Sequence, residues 1–343
     1  MDVIFRREWC RLVAASLAAY RLQLNPFSIA LEQKAREENQ SLLQQVRGID
    51  HIRIAVRDLE KAKDQYRDIL GFNLPPPGKK GIHPTGSENS SARFADNYLE
   101  LIAVHDRDKV LLNRPWLIDF LQKREGGHSL ALEVSSAQAT ANFLRSHEFS
   151  VTDPVPGTIM REGDKEPPPP LWWLVDFKEP VLPGGVIFFI QYAHSEGAPA
   201  GTSRAVSPQA NTSQGISAVW MVVADLKKAV KAYASVGLRP KGALELRYLG
   251  ATAHEIDAGR GLIVLVHPAQ ANGYAASFMK QSGEGIMGVS LAVANLGTAG
   301  RLLANNIGRP FVEYDGAYGK SILIPGEMAN GLWIEMHENR SAS

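Results

Sequence analysis

The chain of 343 residues has a single cysteine, Cys10, so no disulfide can form within it. That economy fits a reducing compartment and a cytoplasmic location. A lone Cys10 near the N-terminus reads as incidental rather than catalytic. Net charge is nearly absent: 37 Lys and Arg against 36 Asp and Glu leave +1. Neither a nucleic-acid surface nor an acidic partner is implied. No apolar run approaches the roughly 20 residues that a membrane helix needs. No nucleotide-binding glycine fingerprint follows a strand, so neither NAD nor ATP is implied. What remains is an ordinary globular composition, 45% hydrophobic and 21% charged, long enough for roughly two domains. The expected partner is a small-molecule substrate, and a homodimer is left open.

Residues 1–47 read as a helical extension. Arg6, Arg7 and Arg11 precede the apolar stretch Leu12 to Tyr20, a pattern with some likeness to a secretory leader. The stretch is short, Arg21 follows at once, and no clean small-x-small cleavage site appears. An amphipathic helix from about Arg7 to Leu22, ended by Asn25-Pro26, is the preferred reading. A second helix, rich in Glu, Gln, Lys and Leu, is expected from Ser28 to Gln45. A docking arm is favoured, and a cleaved leader with export is the minor alternative.

The remainder is organised by an internal repeat. Gly48-Ile-Asp-His-Ile-Arg-Ile-Ala-Val-Arg-Asp-Leu59 sets against Gly215-Ile-Ser-Ala-Val-Trp-Met-Val-Val-Ala-Asp-Leu226. Each has a glycine, an alternating apolar strand, then Asp-Leu opening a helix. Ala62, Tyr66 and Leu70-Gly71 answer Ala229, Tyr233 and Val236-Gly237. Weaker copies start at His128-Ser-Leu-Ala-Leu-Glu-Val134 and Met287-Gly-Val-Ser-Leu-Ala-Val293. Each start is followed by β-like runs punctuated by Gly and Pro, among them Tyr98 to Val104, Val186 to Tyr192, Leu262 to His267 and Leu332 to His337. The unit is therefore one strand, one helix, then three strands. Four units predict an α+β protein of two tandem domains, at 48–195 and 214–343. The link 196–213, rich in Ser, Ala, Gly and Pro, reads as a flexible connector.

This βαβββ unit resembles the vicinal-oxygen-chelate superfamily, also called glyoxalase/bleomycin-resistance/dioxygenase. The resemblance rests on Ile49-Asp-His-Ile-Arg-Ile-Ala-Val-Arg-Asp-Leu59, Tyr66 and Ile69-Leu-Gly-Phe72. Gly81-Ile-His-Pro-Thr-Gly86, Asn89 and Tyr98-Leu-Glu-Leu-Ile102 are similar to its glyoxalase-like subgroup. It covers 48 to about 195 well and 214–343 as a diverged copy. The resemblance implies a cupped sheet with a divalent metal (Zn, Fe, Mn, Ni or Co) held by the first and last strands of each unit. Carried onto this chain, the ligands are His51, Glu100, His128 and Gln191, with Gln191 standing where Glu is commoner. In the second domain the matching places are given to Ala218, Ile263, Met287 and Glu335, so that half is expected to lack the metal.

The residues themselves permit this chemistry. Strand alternation sets His51 on one face with Arg53, Ala55 and Arg57. A carboxylate and imidazoles on otherwise apolar faces are costly unless satisfied, and a metal would satisfy them. Such an ion polarises a carbonyl or enolate oxygen, and Glu100 is the expected ligand and base. Each residue also has a plainer reading: His51 as a hydrogen-bonded histidine at a strand start, Glu100 as a surface residue, His128 as the residue after a turn. His83 is expected either to line the cavity or to serve a turn, and Arg93 and Arg114 to be solvated. Three functions stay open: a metal-dependent isomerase, epimerase or lyase working through an enolate, an Fe(II)-dependent ring-cleaving dioxygenase, and a non-catalytic sequestering or resistance protein.

Overall fold

The computed structural model describes residues 42, 45–159, 164–193 and 207–338. Residues 1–41, on which both expected N-terminal helices chiefly fall, lie outside the described residues. The first sheet is built from β1 (Val46–Ala55), β2 (Gly81–Ile82), β3 (Ser87–Arg93), β4 (Tyr98–Val104), β5 (Gly126–Val134), β6 (Val155–Gly157), β7 (Trp172–Asp176) and β8 (Val186–Tyr192), in the order β2-β3-β4-β1-β5-β8-β7-β6. The second uses β9 (Ser213–Val222), β10 (Arg239–Leu246), β11 (Ala251–Asp257), β12 (Leu262–Pro268), β13 (Gly285–Val293), β14 (Tyr314–Gly316), β15 (Gly319–Ile324) and β16 (Trp333–Glu338), in the matching order β10-β11-β12-β9-β13-β16-β15-β14. Both are curled sheets of two βαβββ modules, as expected for an α+β tandem fold.

Each module's helix starts the same way. The four are α1 (Leu59–Asp64), α4 (Ala137–Ser146), α5 (Leu226–Ser235) and α7 (Leu296–Ile307). Asp58, Ser136, Asp225 and Asn295 cap them, each accepting a hydrogen bond from the backbone N–H three residues on. These caps give the repeat an unambiguous register. Between modules the chain adds helices that the repeat does not announce: α2 (Arg107–Asn113) and α3 (Pro115–Lys123) in the first half, α6 (Tyr274–Ser282) in the second. Asp106 caps α2, and Pro115 opens α3, where its missing N–H costs nothing.

The helix-bearing faces of both sheets feed one continuous core. Ile52, Ile54, Leu99, Leu101, Leu130, Leu132, Ile187 and Phe189 of the first sheet join Val219, Met221, Ile263, Leu265, Val289, Leu291, Ile334 and Met336 of the second. The opposite faces are separate cups. A backbone bridge seals the junction: Ile49 N–H donates to Arg260 O at 2.9 Å and Arg260 N–H to Arg47 O at 3.1 Å, while the Arg260 guanidinium reaches Glu133 at 2.7 Å.

The connector is flexible in composition but docked where it is described. The side chain of Gln209 accepts from Asn73 N–H and donates to Arg93 O, and Asn211 donates to Leu70 O. These polar side chains dock Gln209 and Asn211 on the first domain, while Thr212 accepts from Ala294 N–H and donates to Asn295 O of the second; residues 196–206 of the expected connector lie outside the described residues.

Gly48 lies at the bridge, and a Cβ there would meet Arg260 Cβ at 2.5 Å and its backbone at 2.8 Å. Gly48→Ala is expected to lower stability by about 1–3 kcal/mol, read as a lower urea midpoint at unchanged m-value. An unchanged midpoint would mean that the bridge does not hold the two sheets together.

Candidate functional site

The site begins at a defect in β1. Its pairing with β5 slips between Ile49 and His51, so Asp50 is an extra residue in the ladder. A bulge of this kind re-aims side chains that would otherwise alternate. Here two neighbours meet: His51 Nδ1 donates to Asp50 Oδ2 at 2.5 Å, and Tyr192 donates to the same oxygen at 2.9 Å. His51 Nε2 lies 3.3 Å from Glu100 Oε2, close enough for charge attraction but outside hydrogen-bond alignment, and Nε2 has no other partner. Tyr98 stacks on the imidazole at 4.5 Å.

Glu100 is placed by the parallel pairing of β1 with β4, which sets it beside Arg53. Arg53 Nε donates to Glu100 Oε2 at 3.1 Å, and the Asn89 amide donates to Oε1. The Arg53 guanidinium lies 4.1 Å over the Phe188 ring. Burial would raise the Glu100 pKa, but the His51 contact and the charges of His51 and Arg53 hold it well below the usual carboxylate range. Burial would likewise lower His51, yet Asp50 and Glu100 together raise it above the ordinary histidine value.

These residues line a cavity of about 800 Å³. Arg93, Lys79 and Lys80 border it with His83, Trp172 and Ile190. His83 performs both of its expected tasks: its backbone closes the turn with Ser87 and Gly86, and its ring is buried against Trp172. Burial, then the charge of Arg114, pushes its imidazole down to about 3. Arg114 is not solvated as expected but donates to Ser87 Oγ at 3.1 Å, and burial lowers its pKa to about 10. Arg93 lies over the Tyr98 ring at 4.7 Å.

Two expected ligands are elsewhere. Gln191 points to the opposite face of β8, where its Oε1 accepts from Ala137 N–H at 2.7 Å and closes the first turn of α4. Glu338 does the same for Leu296 N–H of α7, so Glu338, and not Glu335, is the counterpart of Gln191. His128 is the extra residue at a second bulge, opposite Arg53 and Ile54. Its ring stacks on Trp116 at 4.0 Å with its edge toward Phe120. Counting back from the helix caps, His51 matches Ser129, and His128 matches the bulged Asp50. Met287 answers His128 as expected, but the counterpart of His51 in that module is Gly288. Strand pairing assigns Glu100 to Phe188 in the second module, to Val264 rather than Ile263 in the third, and to Glu335 in the fourth.

The metal implied by the family can therefore be tested on the residues present. Its four positions in this cup carry His51, Glu100, Ser129 and Phe188. Ser129 Oγ is buried without a partner, Phe188 has no donor atom, and Arg53 already neutralises Glu100. Among the described residues no three His, Cys, Asp or Glu gather in a metal-binding group. Two protein ligands beside a fixed cation do not fit a divalent metal centre, which needs three or more.

Two curled sheets of paired βαβββ modules define the vicinal-oxygen-chelate fold. A family model described as "Glyoxalase-like domain" matches residues 49–237, more than half of the chain, and the chain belongs to that family. It is similar in structure to a mutant of 4-hydroxymandelate synthase from Streptomyces coelicolor, at 14% identity and a TM-score of 0.60 over 87% of this chain and 94% of that one. A hypothetical protein from Staphylococcus aureus matches at 13% identity and a TM-score of 0.55 over 84% and 98%. Methylmalonyl-CoA epimerase from Mycobacterium tuberculosis, at 21% identity and a TM-score of 0.36, covers 40% of this chain and 94% of its own. No curated protein matches by sequence. Among the described residues no helix is long and apolar enough to cross a membrane.

Two predictions follow from the displaced residues. Gln191→Ala removes the bond to the first turn of α4 and is expected to cost about 1 kcal/mol of stability. Denaturant unfolding measures this, and unchanged stability would return Gln191 to consideration as a cavity residue. For His128, burial and then the charges of Arg53 and Arg124 lower the pKa to about 3. The neutral ring is thus the folded form. Its contribution is fully present above about 6.5, the unfolded value, and is lost as pH falls toward 3. His128→Phe keeps the stack and removes the titration, so the stability difference between pH 7.5 and pH 4.5 should shrink. An equal difference in both proteins would refute this account.

Proposed function

We propose that the N-terminal cup is the active site of an enzyme that moves a proton on the carbon beside a carbonyl group of a small anionic substrate. Isomerases, epimerases and lyases of the enolate type fall within this reading. The observation that carries it is the buried His51, fixed by Asp50 on one nitrogen and facing Glu100 with the other, in a cavity bordered by Arg53, Arg93, Lys79 and Lys80.

The hydrogen bond from Nδ1 to Asp50 fixes which nitrogen exchanges its proton, so His51, once it has released the proton on Nε2, presents its lone pair there. It takes the proton there, and Glu100 stabilises the imidazolium that forms. Returning the proton to another carbon or face gives an isomer, and loss of a leaving group gives a lyase product. Glu100, the base expected from sequence, is held ionised by Arg53, Asn89 and His51, which makes it a weak base. The raised His51 pKa leaves the imidazole the better matched of the two near neutral pH. Arg53 and the rim cations favour negative charge developing on the substrate oxygen.

Ring cleavage by Fe(II) would need at least one ligand beyond His51 and Glu100, and Ser129 and Phe188 stand at the two remaining places. Hydrogen–deuterium exchange at carbon, followed by NMR across a panel of 2-oxo and 2-hydroxy acids in D2O, tests the proposal. Wild type should exchange at least one member, and His51→Ala should slow that exchange by about 100-fold or more. Exchange at the wild-type rate in His51→Ala would sink the proton-transfer reading. Tight binding without exchange, retained in that variant, would favour sequestration instead.

A further inference from the structure

We propose that Arg53 is the built-in cation of this cup: it takes the place of the divalent metal, and the substrate's anionic oxygen binds its guanidinium. This rests on the reading of the N-terminal cup as the active site and specifies how that site handles charge.

Three observations carry it. First, Arg53 stands next to Glu100 across the β1–β4 pairing and bonds its Oε2 at 3.1 Å, so it occupies the side of the carboxylate that would face an ion. Second, the substitutions are matched. Losing the ligand positions at Ser129 and Phe188 removes half of a metal site, and the flat Phe188 ring supplies instead a surface on which the guanidinium rests at 4.1 Å. Third, only Nε of Arg53 is committed. Among the described residues its two Nη groups have no hydrogen-bond acceptor on the protein, while Arg53 lines the 800 Å³ cavity.

A guanidinium holds its charge at every physiological pH and offers paired donors that match a carboxylate or enolate edge. A divalent metal would supply twice that charge at a point centre, at the cost of three or four ligands. The chemical class of ligand that follows is a small molecule with a carboxylate or a developing enolate oxygen next to the proton-bearing carbon. Arg53 would grip that oxygen while His51 works on the carbon.

The test is metal uptake, which does not depend on knowing the substrate. The full chain is stripped with chelator, then titrated with Zn²⁺, Mn²⁺ and Ni²⁺ by calorimetry, with bound metal counted by mass spectrometry. Wild type is expected to retain far less than one equivalent. Rebuilding the four positions, with Arg53→Gly, Ser129→His and Phe188→Glu together, should create a site that binds at least one of these ions roughly 100-fold more tightly. Arg53→Gly alone is the gentler variant, and it should not bind metal stoichiometrically, since two ligands remain. One tight equivalent in wild type that disappears in His51→Ala would overturn the assignment of Arg53 while leaving the cup as the active site. A folded triple variant, judged by circular dichroism, that gains no affinity would overturn the assignment of Ser129 and Phe188. Failure of carbon exchange in D2O would instead strike the proton-transfer reading and leave the metal result standing.

Discussion

The first cup depends on a charge balance. Asp50 and Glu100 face Arg53 and His51 across contacts of 2.5 to 3.3 Å, with all four side chains largely shielded from water. Any one of these charges alone in such surroundings would be expensive, and removing one partner of a buried pair typically costs about 3–5 kcal/mol. Together they are stable because each carboxylate meets a cation and further donors: Tyr192 for Asp50, Asn89 for Glu100. The result is a polar cluster that is satisfied except at the Nη groups of Arg53 and at Nε2 of His51, while His83 Nε2 and Ser90 Oγ on the same cavity are likewise without a partner among the described residues.

That balance is made possible by backbone irregularity rather than by regular pairing. In an unbroken strand Asp50 and His51 would point to opposite faces. The bulge at Asp50 brings them together, and the bulge at His128 turns that ring away toward Trp116. The second sheet carries both irregularities at the matching places, Ser217 and Met287. The bulges therefore belong to the scaffold, and what differs between the two cups is only the side chains that the bulges aim.

This explains what could be read from the sequence and what could not. The βαβββ repeat was legible because helix caps, alternating apolar residues and closing glycines obey local rules. That His51 and Glu100 share one cavity was legible because they sit in the strongly patterned module. His128 misled because Gly-Gly-His invites alignment with the histidine of the first module, although a count back from the Ser136 cap reaches Ser129. Gln191 misled because it adjoins the cavity-facing residues Ile190 and Tyr192 in sequence, while alternation turns it to the helices. Arg53 was visible as a neighbour of His51 on one face, but its ion pair with Glu100 depends on the register of β4, which no local pattern encodes. The same holds for Asn89 and Arg114, whose partners are set by strand pairing and by a helix that the repeat does not contain.

The second cup shows what the scaffold becomes when this charge balance is dropped. Trp220 stands in the place of Arg53, Ala218 in that of His51 and Val264 in that of Glu100, and they pack into an apolar cluster with Leu246, Val266 and Met287. The indole fits because the residue facing it is Gly288, where a Cβ would come within 2.8 Å of the Trp220 ring. One carboxylate survives, Glu335, and it is fully buried. Among the described residues it pairs with no guanidinium or ammonium group but accepts from Tyr314 at 2.7 Å and Ser290 at 2.6 Å, and Ser290 in turn accepts the Trp220 indole N–H at 3.0 Å. Neutral donors suffice to hold a buried carboxylate in a packed cup, because nothing there must be left open. In the first cup a cation with unspent donors is kept beside the carboxylate, and an open cavity is kept beside both. The contrast between Arg53 and Trp220 at one position of one fold is therefore the difference between a cup arranged to receive an anion and a cup closed on itself.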